Sequence, residues 1–375
     1  MNMLVVGGGI GGLTAAATLS AAGHRVTLVE RAARFAPVGA GLILAPNAAR
    51  ALASLGVDLG SRGLSLPSMD VVRANGSLLM RLETERLGRE HGPMWAISRA
   101  DLHEAVLGAM PRGVEIVQGL RFDDLQEVAG GVEVTFEGEP GSKRFEAVVG
   151  ADGLRSRVRE RLLGPQELRY SGVTCWRGIS PNPGFSGAVE AWAGEARIGV
   201  VPLRGERLYY YLVKSAPLRA PELRWPAGFR AAFGRFRGGI ERLFDVLREA
   251  PPLHHDLEEL EAPLWGRSRV FLLGDAAHAM TPNQGQGAAM AIEDALALAR
   301  ALHPEIEGAL ARYAAARHER VRKVMLSSRR LGALAHWRSP PARWLRDGVL
   351  RLLPRAAGDA QYRRLVEPGL ALLRA

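Results

Sequence analysis

Apolar and polar positions change period several times along this chain. Met3–Val6 is a continuous apolar run, Gly7–Gly12 is dense in glycine, and Leu13–Ala22 is an uncharged stretch of mostly small residues. Arg25–Val29 is rich in β-branched residues and is followed by Glu30. Strand, glycine loop, helix, strand and acid in that order predict a βαβ unit. Asn75-Gly76, set between apolar stretches within Val71–Leu82, predicts a hairpin. Ser98 predicts the N-cap of a helix over Arg99–Leu107. Gly113–Phe136 alternates as short strands. Ala147–Gly150 reads as a buried strand running into Ala151-Asp152-Gly153.

The pattern changes between about Ser171 and Ser268. Trp176, Trp192, Trp225, Trp265 and Tyr209-Tyr210-Tyr211 sit among short strand-like runs broken by Pro and Gly, which predicts a sheet-rich region. Val270–Leu273 is again a strand and Gly287–Leu302 a helix. Beyond Arg312 the chain reads as helical and arginine-rich, interrupted at Pro340-Pro341 and Pro354. The class expected is α/β, with a Rossmann-like dinucleotide domain, a sheet-rich second domain and C-terminal helices.

Composition narrows the picture. A chain of 375 residues exceeds what one core usually supports, so two domains are expected. Cys175 is the sole cysteine, which excludes an internal disulfide framework and a Cys-based zinc site. The net charge is +10, yet Arg320–Ala375 holds thirteen Lys/Arg against three acids, leaving the body neutral. A neutral body argues against nucleic acid as partner. Met3–Gly23 is uncharged for 21 residues, but its five loop glycines and lack of a basic flank argue against a membrane helix or signal peptide. A cytoplasmic location is expected.

Three segments carry chemistry. Gly7-Gly8-Gly9-Ile10-Gly11-Gly12 matches G-x-G-x-x-G: Gly7 for the tight turn, Gly9 for backbone approach to a pyrophosphate, Gly12 for close helix packing. Phosphates would meet the helix N-terminus, and Glu30 would accept from an adenosine ribose. Asp152 follows a buried strand; a turn with a helix cap explains it about as well as a ligand. Asp275 leaves a strand end, where α/β sheets bind ligands, and can hold sugar-like hydroxyls. Pro282-Asn283-Gln284-Gly285-Gln286-Gly287 opens a second helix facing a developing anion. His278 reads as structural, and His254-His255-Asp256 as solvated loop. No metal is expected.

Taken together, these segments resemble the single-component FAD-dependent aromatic hydroxylases of the p-hydroxybenzoate hydroxylase fold, nearest their salicylate and urate hydroxylase branch. The resemblance implies non-covalent FAD held by Gly7, Gly9, Ile10, Gly11, Gly12, Glu30 and Arg31. It adds Gly41 and Leu42, within Gly39-Ala40-Gly41-Leu42, beside the flavin ring. Arg99 would reach the ribityl–phosphate region, and the Phe122 backbone would touch adenine. Asp152, with Ser156 and Arg159, would serve FAD and transient NAD(P)H contact. Gly274, Asp275, Pro282, Gly285, Gln286, Gly287 and Ala288 would hold the ribityl chain and ring edge. FAD-binding segments would cover 1–70, 99–170 and 269–320, substrate-domain segments 71–98 and 171–268, and a basic helical segment 321–375.

The implied reaction uses NAD(P)H and O₂ to hydroxylate an electron-rich small molecule through a flavin C4a-hydroperoxide. In urate hydroxylases an Arg, a Tyr twelve residues later and an Asp after the motif proline bind substrate. Arg197 and Tyr209 match the first two, and Asn283 stands in place of the Asp. For Arg197 the alternative is a surface ion pair with Glu195 or Glu190. A reductase or epoxidase acting on isoprenoid or polyketide substrates and a non-catalytic flavin sensor are the competing functions. The protein would be monomer or homodimer. Ala342–Leu353 is basic and amphipathic, as in an interfacial membrane anchor. A cap on the FAD domain or on a dimer partner is the reading preferred, because one short helix carries no second anchoring signal.

Overall fold

The computed structural model describes residues 1–35, 40–247 and 252–374. The first unit is β1 (Asn2–Val6), α1 (Ile10–Ala21) and β2 (Arg25–Glu30). β3 (Gly41–Leu44), α2 (Pro46–Ser54) and β4 (Leu64–Ser65) follow. Asn75-Gly76 turns the chain between β5 (Met69–Arg73) and β6 (Leu78–Leu82), which pair antiparallel as expected. Next come α3 (Thr84–His91), β7 (Trp95–Ser98) and α4 (Arg99–Gly108). The Ser98 hydroxyl caps α4, accepting from the Asp101 N–H at 3.0 Å.

β8 (Val114–Gln118), β9 (Phe122–Val128), β10 (Gly131–Phe136), β11 (Lys143–Phe145) and β12 (Ala147–Gly150) lead to α5 (Arg157–Leu163). The middle of the chain forms β13 (Arg169–Pro181), β14 (Ala188–Trp192), β15 (Ala196–Leu203), β16 (Arg207–Ser215), α6 (Ala227–Phe233), α7 (Leu243–Val246) and β17 (Leu253–Glu259). The remainder is β18 (Gly266–Arg267), β19 (Val270–Leu272), α8 (Asp275–His278), α9 (Gly287–Ala301), α10 (Ala309–Ala335), α11 (Pro340–Leu352) and α12 (Arg355–Arg374).

The main sheet has the order β18-β19-β12-β1-β2-β8, parallel except for β18. Met3 and Val5 face a core shared with α1 and α9, while Leu4 and Val6 face one shared with the β9–β11 meander. Burial on both faces explains why β1 is a continuous apolar run. Val6 is level with Gly150 and Val29, and Gly150 with Leu272. The loops after β1, β2, β12 and β19 therefore emerge along one edge.

A second sheet runs β17-β13-β16-β15-β14-β5-β6. Its outer face packs Ile198, Val200, Tyr210 and Leu212 against Phe229, Phe233 and Phe236. The alternation of β15 turns Arg197 and Gly199 to the opposite face. Within the stretch 71–98, β6 joins this sheet, whereas β7 pairs with β3 and β4 in a sheet of its own. His254-His255-Asp256, expected as loop, lies on β17. The flat face of Trp176 accounts for the difference, since His254 stacks on it at 4.8 Å and bonds Thr174 Oγ1 at 2.6 Å.

Candidate active site

The glycine loop separates into two kinds of position. Gly7 has φ +109°, and a Cβ there would lie 2.5 Å from the Ala151 carbonyl oxygen. A Cβ on Gly12 would collide with the Gly7 carbonyl. Both glycines are thus demanded by the fold. A Cβ on Gly9 would meet nothing within 4 Å among the described residues, so no described neighbour requires glycine there. That is the position where a close-lying ligand would. α1 starts after Gly9 without a side-chain cap, which leaves the Ile10, Gly11 and Gly12 amides without side-chain partners. Glu30 accepts from the Gly8 N–H at 2.8 Å and the Ala32 N–H at 2.9 Å, one to each oxygen. Each oxygen retains a lone pair for a ribose hydroxyl. Arg31 is exposed beside it. The Phe122 ring is buried in the core, so only its backbone is free to face a ligand.

Asp152 is bonded within its own turn, as the turn-and-cap alternative has it. Its carboxylate accepts from Ser156 Oγ at 2.5 Å and from the Arg157 and Val158 amides at 2.8 and 3.1 Å. It caps α5 and so holds the turn beside Gly7. Arg159 ties this motif to the next, donating to the Ala276 carbonyl at 2.9 Å.

Asp275 is exposed and has no hydrogen-bond or ion-pair partner among the described residues, although Gly274 (φ +59°) sets it at the mouth of β19. Arg99 is open to solvent, yet surrounding protein pulls its guanidinium below the usual range, with the Asp275 charge opposing. A side chain that is both wetted and enclosed lies in a deep cleft. α9 opens at Gln286 after Pro282–Gln284 and Gly285 (φ +63°), again without a side-chain cap, leaving the Gly287 and Ala288 amides open. Gln286 Oε1 is buried without a partner. A Cβ on Gly11 would lie 3.0 Å from Leu273 and 3.1 Å from Ala291, so the first turns of α1 and α9 abut at the strand ends. An unpaired carboxylate, an enclosed arginine, uncapped helix starts and the open Gly9 form one cradle. Those features fit a long anionic cofactor with a polyhydroxyl chain, which is what FAD is.

The inner face of the second sheet lies opposite. A Cβ on Gly41 would come within 2.5 Å of Tyr209, so β3 rests on that ring; Leu42 is half-buried, and Gly39 lies outside the described residues. Burial pushes the Tyr209 hydroxyl well up. Arg197 is only 3% exposed. It pairs with Glu190 at 3.2 Å, as the alternative reading foresaw, but inside the protein instead of at the surface. Its other terminal nitrogen donates to Asn283 Oδ1, and Asn283 donates to Thr281 Oγ1 and the Ser328 carbonyl, each at 3.0 Å. Glu190 also accepts from Trp192 Nε1 at 2.8 Å and from the Tyr211 hydroxyl. Residues 86 apart in sequence thus come together, with the Arg197 charge already neutralised.

Sequence reasoning missed Arg177. It is half-buried on β13, makes no hydrogen bond or ion pair among the described residues, and its Nε is buried without a partner. Its charge acts on Arg99, Tyr209, Cys175 and His255, which places it within reach of the same cleft. The available signal was alternation: Arg177 lies one residue from Trp176 and two from Cys175, and its register partners Tyr211 and Leu253 bring no acid. Burial pushes the Cys175 thiol up to about 11, which makes it inert at neutral pH. His278 is structural, as expected, bonding Asp294 at 2.5 Å in the core. Glu90, His91 and Glu367 are grouped closely enough for a metal, but Arg363 already pairs with Glu90.

The family model described as "FAD binding domain" matches residues 1–223 and 254–328. The chain belongs to this family. It is 37% identical to 2-heptyl-3-hydroxy-4(1H)-quinolone synthase of Pseudomonas aeruginosa, over 97% of each chain. It is 34% identical to the aurachin C monooxygenase/isomerase of Stigmatella aurantiaca, also over 97% of each. Among solved structures it superimposes on Klebsiella pneumoniae HpxO, complexed with FAD and uric acid, with a TM-score of 0.89 and 26% identity, covering 99% of this chain and 97% of that one. The protein is an FAD-dependent monooxygenase of the aromatic hydroxylase type. None of its helices among the described residues is long and apolar enough to cross a membrane.

Proposed function

We propose that this flavoprotein uses NAD(P)H and O₂ to hydroxylate an oxo- or hydroxy-substituted nitrogen heteroaromatic ring of the quinolone class. The observation that carries the reading is Arg177, a guanidinium without a partner among the described residues, on the sheet face opposite the cradle. Gly7–Gly12 and Arg99 would hold the FAD phosphates, and Glu30, with Arg31 and the Phe122 backbone, the adenosine. Asp275 would hold the ribityl hydroxyls, and the Gly285–Ala288 amides, with Pro282, Gly274, Gly41 and Leu42, the ring system. Bound FAD supplies the oxygen-activating chemistry. The side chains have narrower tasks. Arg177 favours the anionic form of a ring oxygen, which raises the electron density of the ring for attack. Tyr209 bounds the pocket. Arg197, Glu190 and Asn283 keep the sheet face in register with α10 and exclude water. The quinolone class is supported by the 2-heptyl-3-hydroxy-4(1H)-quinolone synthase relative, which matches along nearly its full length.

The test is substrate-stimulated NAD(P)H oxidation with product mass. 2-Alkyl-4(1H)-quinolones, 6-hydroxynicotinate, salicylate and urate are compared, with NADH and NADPH each supplied. A quinolone product carrying one added oxygen is expected. Oxidation that none of these stimulates, or that yields only peroxide, contradicts the proposal. Arg177→Met should raise KM about tenfold or more, the loss of one charge-assisted hydrogen bond, with FAD content unchanged. Loss of FAD in that variant would instead assign Arg177 to the cofactor.

A further inference from the structure

α11 is built inside out. Trp344, Leu345, Val349, Leu352 and Leu353 are 77, 56, 51, 84 and 44% exposed. At 100° per residue these positions sweep roughly half the helix circumference. A surface helix ordinarily turns such an arc toward the core. Here the inward side carries Arg346 and Asp347 with Leu350. Arg346 lies over the Trp192 ring, 5.0 Å from its centroid, and pairs with Asp347 at 2.7 Å. Asp347 also pairs with Arg73 on β5 at 2.7 Å. This polar clasp holds α11 on the sheet and leaves its apolar arc facing outward. The cap expected of the C-terminal segment is made by α12 instead, through Tyr362, Val366 and Leu370. Trp337 adds a further exposed ring, and the exposed Arg338 and Arg351 have no carboxylate within 4 Å among the described residues, whereas Arg343 is half-buried beside Gly194.

We propose that α11 is a membrane-interface helix, seating its apolar arc at the headgroup–acyl boundary of an anionic bilayer while Arg338 and Arg351 meet lipid phosphate. Charge decides against a second copy of this chain, since a symmetric contact would bring unpaired arginines of both copies together with no acid beside them. Area agrees: a helix of this length offers roughly 300 Å² on one face, against about 800 Å² per partner in a stable dimer. One short helix gives weak, reversible attachment. The inference does not rest on the substrate reading.

The experiment is co-sedimentation of the FAD-loaded full chain with vesicles of equimolar phosphatidylglycerol and phosphatidylcholine, and with phosphatidylcholine alone, at low and moderate salt. Pelleting with the anionic vesicles that weakens with salt is expected. The pair Trp344→Ser and Leu352→Ser should reduce it about tenfold or more through lost apolar burial, with FAD content and melting temperature unchanged. No pelleting at low salt overturns the proposal. So does equal pelleting of the substituted protein, which would mean attraction by general positive charge. Self-association in sedimentation velocity that those substitutions abolish, without vesicle binding, would assign the face to a second copy.

Discussion

A methyl group added to Gly9 and one added to Gly12 should act at different levels. Gly9→Ala meets no atom of the described residues within 4 Å, so the FAD-free protein should melt as before, within about 0.5 kcal/mol, while FAD affinity falls. Gly12→Ala runs into the Gly7 carbonyl in a packed core and should cost about 1–3 kcal/mol even without cofactor. Thermal melts of stripped protein and fluorescence titrations with FAD separate the two. If Gly9→Ala binds FAD normally, the phosphates do not approach there. Asp275 is the complementary case. Because its carboxylate bonds nothing among the described residues, Asp275→Ala should leave stability intact and lose about 1.5–3 kcal/mol of FAD binding.

Between α9 and α10 lies a buried ion network. Arg317, 1% exposed, pairs with Glu293 at 2.6 Å and Asp294 at 2.7 Å; Arg320 pairs with Glu293 at 2.6 Å. Burial opposes ionisation of Asp294, but His278 and Arg317 outweigh it and hold the carboxyl down to about 2. A depressed carboxyl stabilises the fold above its unfolded value of about 3.9, and that contribution is lost as pH falls toward about 2. Acid unfolding followed by tryptophan fluorescence should therefore steepen between those values, and Asp294→Asn should flatten it there. Arg317→Met removes the guanidinium that Glu293 and Asp294 share, leaving Arg320 on the first and His278 on the second, and should cost about 3–5 kcal/mol by denaturant titration at neutral pH. A loss under 1 kcal/mol would mean that water reaches the network.

Over the whole molecule, the C-terminus returns to the cofactor-side core. α12 lies against α2 so closely that a Cβ on Gly369 would stand 2.7 Å from the Asn47 Cβ and overlap the Glu293 carboxylate. Asn47 in turn donates to Glu293 at 2.7 Å, so α2, α9 and α12 meet at one buried point. Gly369→Val should separate them at a cost of about 1–3 kcal/mol, seen as a lower melting temperature. An unchanged melting temperature would mean that α12 is not a structural part of the FAD-side core.

How much was legible in the sequence depended on the range of the forces involved. The positive φ at Gly7, the contact of Gly12 with Gly7, the Ser98 cap and the Asn75-Gly76 hairpin are set within a few residues of themselves, and the continuous apolar run of β1 announces that both its faces are buried. Backbone conformation and apolar period declare such features locally, so the fold class and the FAD cofactor could be read directly. In a chain with 46 arginines, the sequence does not say which guanidinium remains without a partner. Arg197 is neutralised by Glu190 and hydrogen-bonded to Asn283, and Arg177 has no partner among the described residues because β16 and β17 bring no acid to its register positions. Likewise, the amphipathic pattern of α11 establishes that an apolar arc exists, but the direction it faces was decided by Arg73 on a distant strand. Ion pairing and facing are properties of the assembled strands and helices, and only the tertiary structure settles them.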